Sequence, residues 1–128
     1  LYYSSLIDFL NKDTGQNLNE VCNLIMKYEG ERSSSFILAK FVLGSWSASQ
    51  KQRFKTASIF RELRSLYDGT IIPASKEAEL LMSAASSLGN IGLKSEALQN
   101  ARDARTRYEL LGDLEALKKL DFLERKLQ

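Results

Sequence analysis

LIMKYEG at residues 24–30, LRSLYDG at 63–69 and ARTRYE at 104–109 are one phrase written three times. In each a tyrosine is followed by an acid: Tyr28 with Glu29, Tyr67 with Asp68 and Tyr108 with Glu109, spaced by 39 and 41 residues. Recurrence at about 20 to 50 residues marks stacked helical units, each too small to bury its apolar face alone. The expectation is an all-α chain in which the three tyrosines mark equivalent turns.

Working outward from these phrases, the apolar positions follow the three-four rhythm of helices with one buried face. Tyr2, Tyr3, Leu6, Ile7 and Leu10 predict a first helix over residues 1–12. Asn17 followed by Glu20 reads as a capping box, placing a second helix over 18–28 with Val21, Cys22 and Ile25 inward and Gly30 as its stop. Residues 36–46 are apolar almost all round, which predicts the most buried helix; a strand competes for this run, but eleven residues without turn chemistry exceed a usual strand. Ser49 with Gln52 suggests another capping box, followed by a stripe of Phe54, Ala57, Phe60, Leu63 and Tyr67 that ends at Gly69.

Pro73, the sole proline, sits in a linker over 69–75, and Ser75 is the expected cap of the next helix. Glu77 and Glu79 fall in that helix's first turn, where carboxylates suit the positive dipole end, and Leu81, Ala84, Ala85 and Leu88 form its inner face before Gly89 and Gly92. Ala97, Ala101, Ala104 and Tyr108 make a narrow small-residue seam that Gly112 closes. Asp113 caps a last helix with Leu117, Leu120, Leu123 and Leu127 inward and Lys118, Lys119, Glu124, Arg125 and Lys126 outward. Short connections force neighbouring helices antiparallel. The expected architecture is one domain over 1–128: a right-handed α-solenoid of about three antiparallel helix pairs plus a C-terminal capping helix. The start at Leu1 on a helical pattern suggests an excerpt of a longer protein, whose remainder would pack on one or both ends.

The window 78–111 spans 34 residues and places Leu81, Ala84, Ala85, Leu88, Gly92, Ala97, Ala101 and Ala104 in a pattern that resembles a tetratricopeptide repeat. In that family small residues at the equivalents of Ala85, Ala97 and Ala104 let two helices cross closely, and Gly92 sits at the turn. Leu81 and Leu88 stand where the family carries aromatics, and the closing proline is absent. Elsewhere Arg61 occupies a position usually small, so the resemblance is to a degenerate, TPR-like array. Such arrays line a concave groove with the first helix of each pair. The resemblance therefore implies a partner-binding surface at Phe41, Ser45, Glu79, Met82, Ser86 and Asn90. Of these only Asn90 suits gripping a chaperone's terminal carboxylate, whereas Phe41 and Met82 suit an apolar helix or extended peptide. Ordinary inter-repeat core is the other reading of the same residues.

The 128 residues are 44% hydrophobic, enough for a core, and the net charge of +2 points to no nucleic-acid or membrane surface. No run of about eighteen apolar residues could span a bilayer. Cys22 is the single cysteine and reads as a packed thiol, and an intracellular location, cytoplasmic or nuclear, is expected. The chain has no histidine, which removes the usual general base and the commonest metal ligand; one cysteine cannot make a zinc site. Gly89 and Gly92, followed by Leu93 and Lys94, fail the phosphate-loop pattern. The acid pairs Glu77 with Glu79 and Glu109 with Asp113 lie at helix ends with dipole and capping roles. No enzyme activity and no cofactor are expected.

Two basic sets stand apart, one containing Arg53, Arg61 and Arg64 and the other Arg102 and Arg105. They form either a cationic strip for phosphates or an acidic peptide, or a solvated convex face. The second set lacks interleaved aromatics apart from Tyr108, which disfavours nucleic acid. The functional expectation is a protein–protein interaction or scaffold segment that takes a protein or peptide partner. Its alternatives are a peptide- or ligand-sensing regulatory module and, behind it, a nucleic-acid adaptor.

Overall fold

A computed structural model describes residues 15–128. They form six helices and, among the described residues, no strand: α1 (Gly15–Glu29), α2 (Ser34–Ser49), α3 (Arg53–Leu66), α4 (Ala74–Asn90), α5 (Lys94–Leu111) and α6 (Leu114–Leu127). The chain is all-α. The helix expected over 1–12 lies outside the described residues. No described helix is long and apolar enough to cross a membrane. The chain divides between Leu66 and Tyr67 into two compact units.

In the unit ending at Leu66, α2 is the buried element its composition predicts. Phe36, Ile37, Leu38, Ala39, Val42 and Leu43 are all buried. Ser33 caps it, its hydroxyl accepting from the Phe36 N–H at 3.2 Å. Helix α3 returns antiparallel, since Lys40 meets Glu62 at 3.5 Å while Gly44, further along α2, faces Ile59 and Phe60. A side chain at Gly44 would put its Cβ 2.9 Å from the Phe60 ring, so glycine here lets the two backbones close on each other. Phe41, half-buried, meets the Phe60 ring at 5.9 Å between centroids, tilted by 56°. Helix α1 packs on α2 through buried Leu18 and Cys22. Burial pushes the Cys22 thiol above its ordinary pKa, with Lys40 opposing the shift and Glu62 adding to it, so the group is an inert packed thiol.

Several local expectations fail for identifiable reasons. Helix α1 is already formed at Gly15, the first described residue, so Asn17 stands within the helix rather than at a cap. Ser49 is the last residue of α2 and turns its hydroxyl back to the Trp46 carbonyl at 2.6 Å; the connection is a tight turn with Lys51 at φ +57°, and the Gln52 carbonyl receives both the Thr56 N–H and its hydroxyl. Phe54, placed in the inner stripe, is 92% exposed in the first turn of α3, where Thr56, not Phe54, takes the buried position. Ala57, Phe60, Leu63 and Tyr67 are buried as their spacing requires. Pro73, not Ser75, precedes α4: its extended φ and ψ suit the cap position, and its carbonyl accepts from Lys76 and Glu77.

The unit from Tyr67 packs α4 against α5 along most of their lengths. Glu77 near the start of α4 meets Arg107 near the end of α5, and Gly89 near the end of α4 lies close to Ala97 near the start of α5, so the pair is antiparallel. Ala97, Ala101 and Ala104 are fully buried in this seam, with Ala84, Ala85 and Leu88 opposite. Gly112, at φ +69°, ends α5, and the Asp113 carboxylate accepts from the Ala116 N–H at 3.1 Å to start α6. Helix α6 returns along α5, held by Arg105 to Asp121 and to Glu124 at 3.0 Å. It also touches α4, and there the two run in the same direction, Met82 lying level with Phe122 and Gly89 with Leu127.

The three Tyr-acid phrases fall at the ends of α1 and α5 and just past the end of α3, alternate helices in the order, and a glycine of positive φ follows directly at Gly30 and Gly69 and three residues after Glu109 at Gly112. Their environments differ. Tyr67 and Tyr108 are buried, whereas Tyr28 is 75% exposed beside Lys27, whose ammonium lies 5.5 Å from its ring centroid.

Candidate functional site

A groove runs between α4 and α6. Met82, Ser83 and Ser86 form one wall, and Lys119, Phe122, Leu123 and Lys126 the other, enclosing about 290 Å³. It follows from helix periodicity: 86 lies one turn from both 82 and 83 on α4, and 119, 122, 123 and 126 share one stripe of α6. A second hollow of about 260 Å³ continues it past Gly89 to Asn90 and Leu127. Glycine at position 89 belongs to this geometry, because a Cβ there would sit 2.5 Å from the Leu127 Cδ2.

The groove combines apolar and cationic groups. Phe122 is 64% exposed, an aromatic at the surface of a helix in which Leu120 and Leu127 are buried, Leu117 and Leu123 half-buried and Leu114 exposed. The Lys126 ammonium lies 5.4 Å from its ring centroid, which holds the charge over the aromatic face. Lys119 and Lys126, expected on a solvated outer face, are exposed and also line this groove. Two of the three acids of the same helix turn away: Asp121 and Glu124 serve Arg105 on α5. These two carboxylates hold the Arg105 guanidinium charged beyond its ordinary value.

Behind the groove a polar clamp fixes the start of α4. Glu77 is 2% exposed; its Oε1 accepts from Arg107 Nε at 2.9 Å and its Oε2 from the Gly69 N–H at 2.7 Å. Arg107 also donates to the Asp103 carbonyl and, across the linker, to the Tyr67 carbonyl, both at 3.0 Å. One carboxylate and one guanidinium thus tie the loop after Tyr67 to both helices of the hairpin. Burial, reinforced by Glu77 and opposed by Arg107, pushes the Tyr67 phenol well above its usual range. Tyr108 is raised for the same first reason, with Glu79 and Asp113 adding to it.

Of the residues expected to bind a partner, Met82 and Ser86 line the groove, Asn90 its continuation, and Glu79 stands exposed one turn before Met82, paired with Lys76 at 3.3 Å. Phe41 and Ser45 are half-buried on α2, in the other unit. Of the basic sets, Arg53 and Arg61 are exposed and Arg64 half-buried on α3, and Arg102 is exposed on α5. Arg105 does not present a bare charge to a strip, since Asp121 and Glu124 neutralise it.

Sequence reasoning missed Phe122, Lys119 and Lys126 as one surface, although their spacing of three, four and seven was readable; attention to the leucine stripe hid it. It also gave Glu77 a dipole role, because nothing local announces a partner thirty residues away. On α1, a shallow surface of about 370 Å³ is lined by Glu20, Asn23, Leu24 and Lys27. Among the described residues no three His, Cys, Asp or Glu side chains converge. No protein-family model, curated protein or solved structure matches the chain.

Proposed function

We propose that the chain is a non-catalytic protein-binding segment of TPR-like, helical-repeat type, and that it takes a peptide or helix of a protein partner in the groove between α4 and α6. The observation that carries this reading is Phe122, an exposed aromatic set in a concave surface with Met82 and Leu123 beside it and hydroxyls at Ser83 and Ser86. Concave sites with apolar walls and a few polar groups are where peptides and small ligands bind. The repeat reading draws support from the order within one unit: an antiparallel hairpin of α4 and α5, with α6 beside α4 and parallel to it, where the first helix of a following repeat would lie. The recurrence of the Tyr-acid phrase at alternate helix ends supports it from the sequence side.

Affinity capture with the intact protein tests the proposal. Partners should be lost with Met82→Ala/Phe122→Ala and retained with Arg61→Glu/Arg64→Glu. Loss confined to the arginine variant, together with steep salt dependence, would move the binding surface to α3 and favour an electrostatic partner. Identical capture by all three proteins would overturn the proposal.

A further inference from the structure

The groove carries more information than its concavity, and the next step rests on the reading just proposed. We infer that its occupant is an acidic amphipathic peptide: a segment with an apolar anchor flanked by side-chain carboxylates that meet Lys119 and Lys126.

The argument is charge complementarity imposed by the helix period. Helix α6 carries three acids, and none of them lines the groove: Glu115 sits one turn before Lys119, outside the lining. Asp121 and Glu124 point to α5, where Arg105 takes both. Lys119 and Lys126 point to the groove and make no ion pair among the described residues. The nearest acid on the α4 wall, Glu79, is paired with Lys76 and lies one turn beyond Met82, outside the groove lining. The groove is therefore cationic along its α6 side, over an apolar base of Met82, Phe122 and Leu123.

Lys119 and Lys126 are seven residues apart, two turns of helix, or about 10 Å along the axis. A helical ligand laid along α6 would meet them with carboxylates two turns apart, and an extended one with carboxylates about three residues apart. Between them the exposed Phe122 ring accepts the anchor. Lys126 is already held over that ring, so its ammonium loses less freedom on pairing than an unrestrained lysine would.

A displayed library of random 14-residue peptides, selected on the intact chain and counter-selected on Phe122→Ala, tests this. Phe122 is exposed, so its removal should leave the fold intact, and unchanged far-UV helicity checks that. The expected result is enrichment of Asp and Glu at those spacings around an apolar residue. Binding of a selected peptide should fall about tenfold with Lys119→Glu/Lys126→Glu and recover when the peptide's acids become lysines. Phe122-dependent apolar peptides without acid preference would overturn the acidic partner while leaving the groove as a binding site. Absence of any Phe122-dependent enrichment would overturn both. Self-association abolished by Phe122→Ala would assign the groove to a second copy, and displacement of selected peptides by a single-stranded oligonucleotide at equal charge would assign it to nucleic acid; either result overturns the inference.

Discussion

The unit ending at Leu66 and the unit beginning at Tyr67 each fold three described helices around short turns, but different chemistry holds them. In the first, bulky side chains fill the space between α2 and α3, with Phe36, Ile37, Leu43 and Phe60 almost wholly buried. In the second, alanines bring α4 and α5 together, and a buried ion pair, Glu77 with Arg107, fixes the hairpin's open end. Volume filling is non-directional and tolerates exchange among apolar residues of similar size. A small-residue seam closed by an ion pair is directional and unforgiving, since an alanine admits no larger residue and each charge depends on the other. The unit that carries the candidate groove thus has one rigidly set helix pair, α4 with α5, so that the α4 wall of the groove stands on a fixed hairpin.

The largest effects should come from the element each unit relies on. Phe60→Ala empties the centre of the first unit and should cost about 3–5 kcal/mol. Glu77→Ala leaves Arg107 and the Gly69 N–H without their acceptor and should cost about 3 kcal/mol, the lower figure because Arg107 keeps some contact with water. Denaturant titrations would measure both, Trp46 fluorescence reporting on α2 and far-UV dichroism on the whole. The double variant Glu77→Ala/Arg107→Ala should lose less than the sum of its parts. Additive losses would mean that the two charges act separately and would erase the contrast between the units.

Next in size is a test of how each interior takes added bulk. Ala101→Leu forces three carbons and a branch into a seam with no exposed surface and should cost about 1–3 kcal/mol. Leu38→Met, also at a buried position but conserving volume, should cost under about 1.5 kcal/mol. Equal melting temperatures for Ala101→Leu and the parent would show that α4 and α5 separate freely, against the directional account.

Smaller still are the helix starts. Ser33 caps α2 and Asp113 caps α6, each through one bond to the N–H three residues on. Ser33→Ala and Asp113→Ala should each cost about 1 kcal/mol, and raised salt should shrink only the second, where the cap's charge also faces the helix dipole. A salt response of equal size in both would remove the charge from the explanation.

How legible this was depends on the range of the interaction concerned. The core faces of α2, α4 and α5 were readable because burial repeats with the helix period; so were Gly30, Gly112 and Asp113, whose roles depend on backbone conformation within a turn. Three caps were misplaced, at Asn17, Ser49 and Ser75, because a hydroxyl or amide can serve a cap, a back-bonded helix end or an interior turn, and only the chain's path decides which. Phe54 fits the period of α3 yet lies exposed while Thr56 is buried in the same turn, since a period names a face and not which of its positions a neighbour covers. The groove was half visible: Met82, Ser86 and Asn90 came from the resemblance to a repeat, whereas Phe122, Lys119 and Lys126 needed the contact between α4 and α6. The Glu77–Arg107 pair was invisible, because sequence gives charge without giving separation.

The finest test of the contrast lies in two helical glycines, one in each unit. At Gly89 an added Cβ would come 2.5 Å from Leu127 Cδ2; at Gly44 it would come no closer than 2.9 Å, to the Phe60 ring. Distance alone ranks Gly89→Ala as the worse substitution. The identity of the obstacle reverses that order. Leu127 ends α6, and its methyl can leave by a change of rotamer at about 0.5–1.5 kcal/mol, an amount that the helix preference of alanine over glycine, about 1 kcal/mol, offsets. The Phe60 ring is enclosed, and Ile59 stands 3.0 Å from the same point, so neither can yield without moving α3. Gly44→Ala should therefore lose about 1 kcal/mol net and Gly89→Ala almost nothing, measured as paired denaturation midpoints. A larger loss at position 89 would mean that α6 is held to α4 as tightly as α3 to α2, and that the groove between α4 and α6 has less freedom to admit a ligand than its open lining implies.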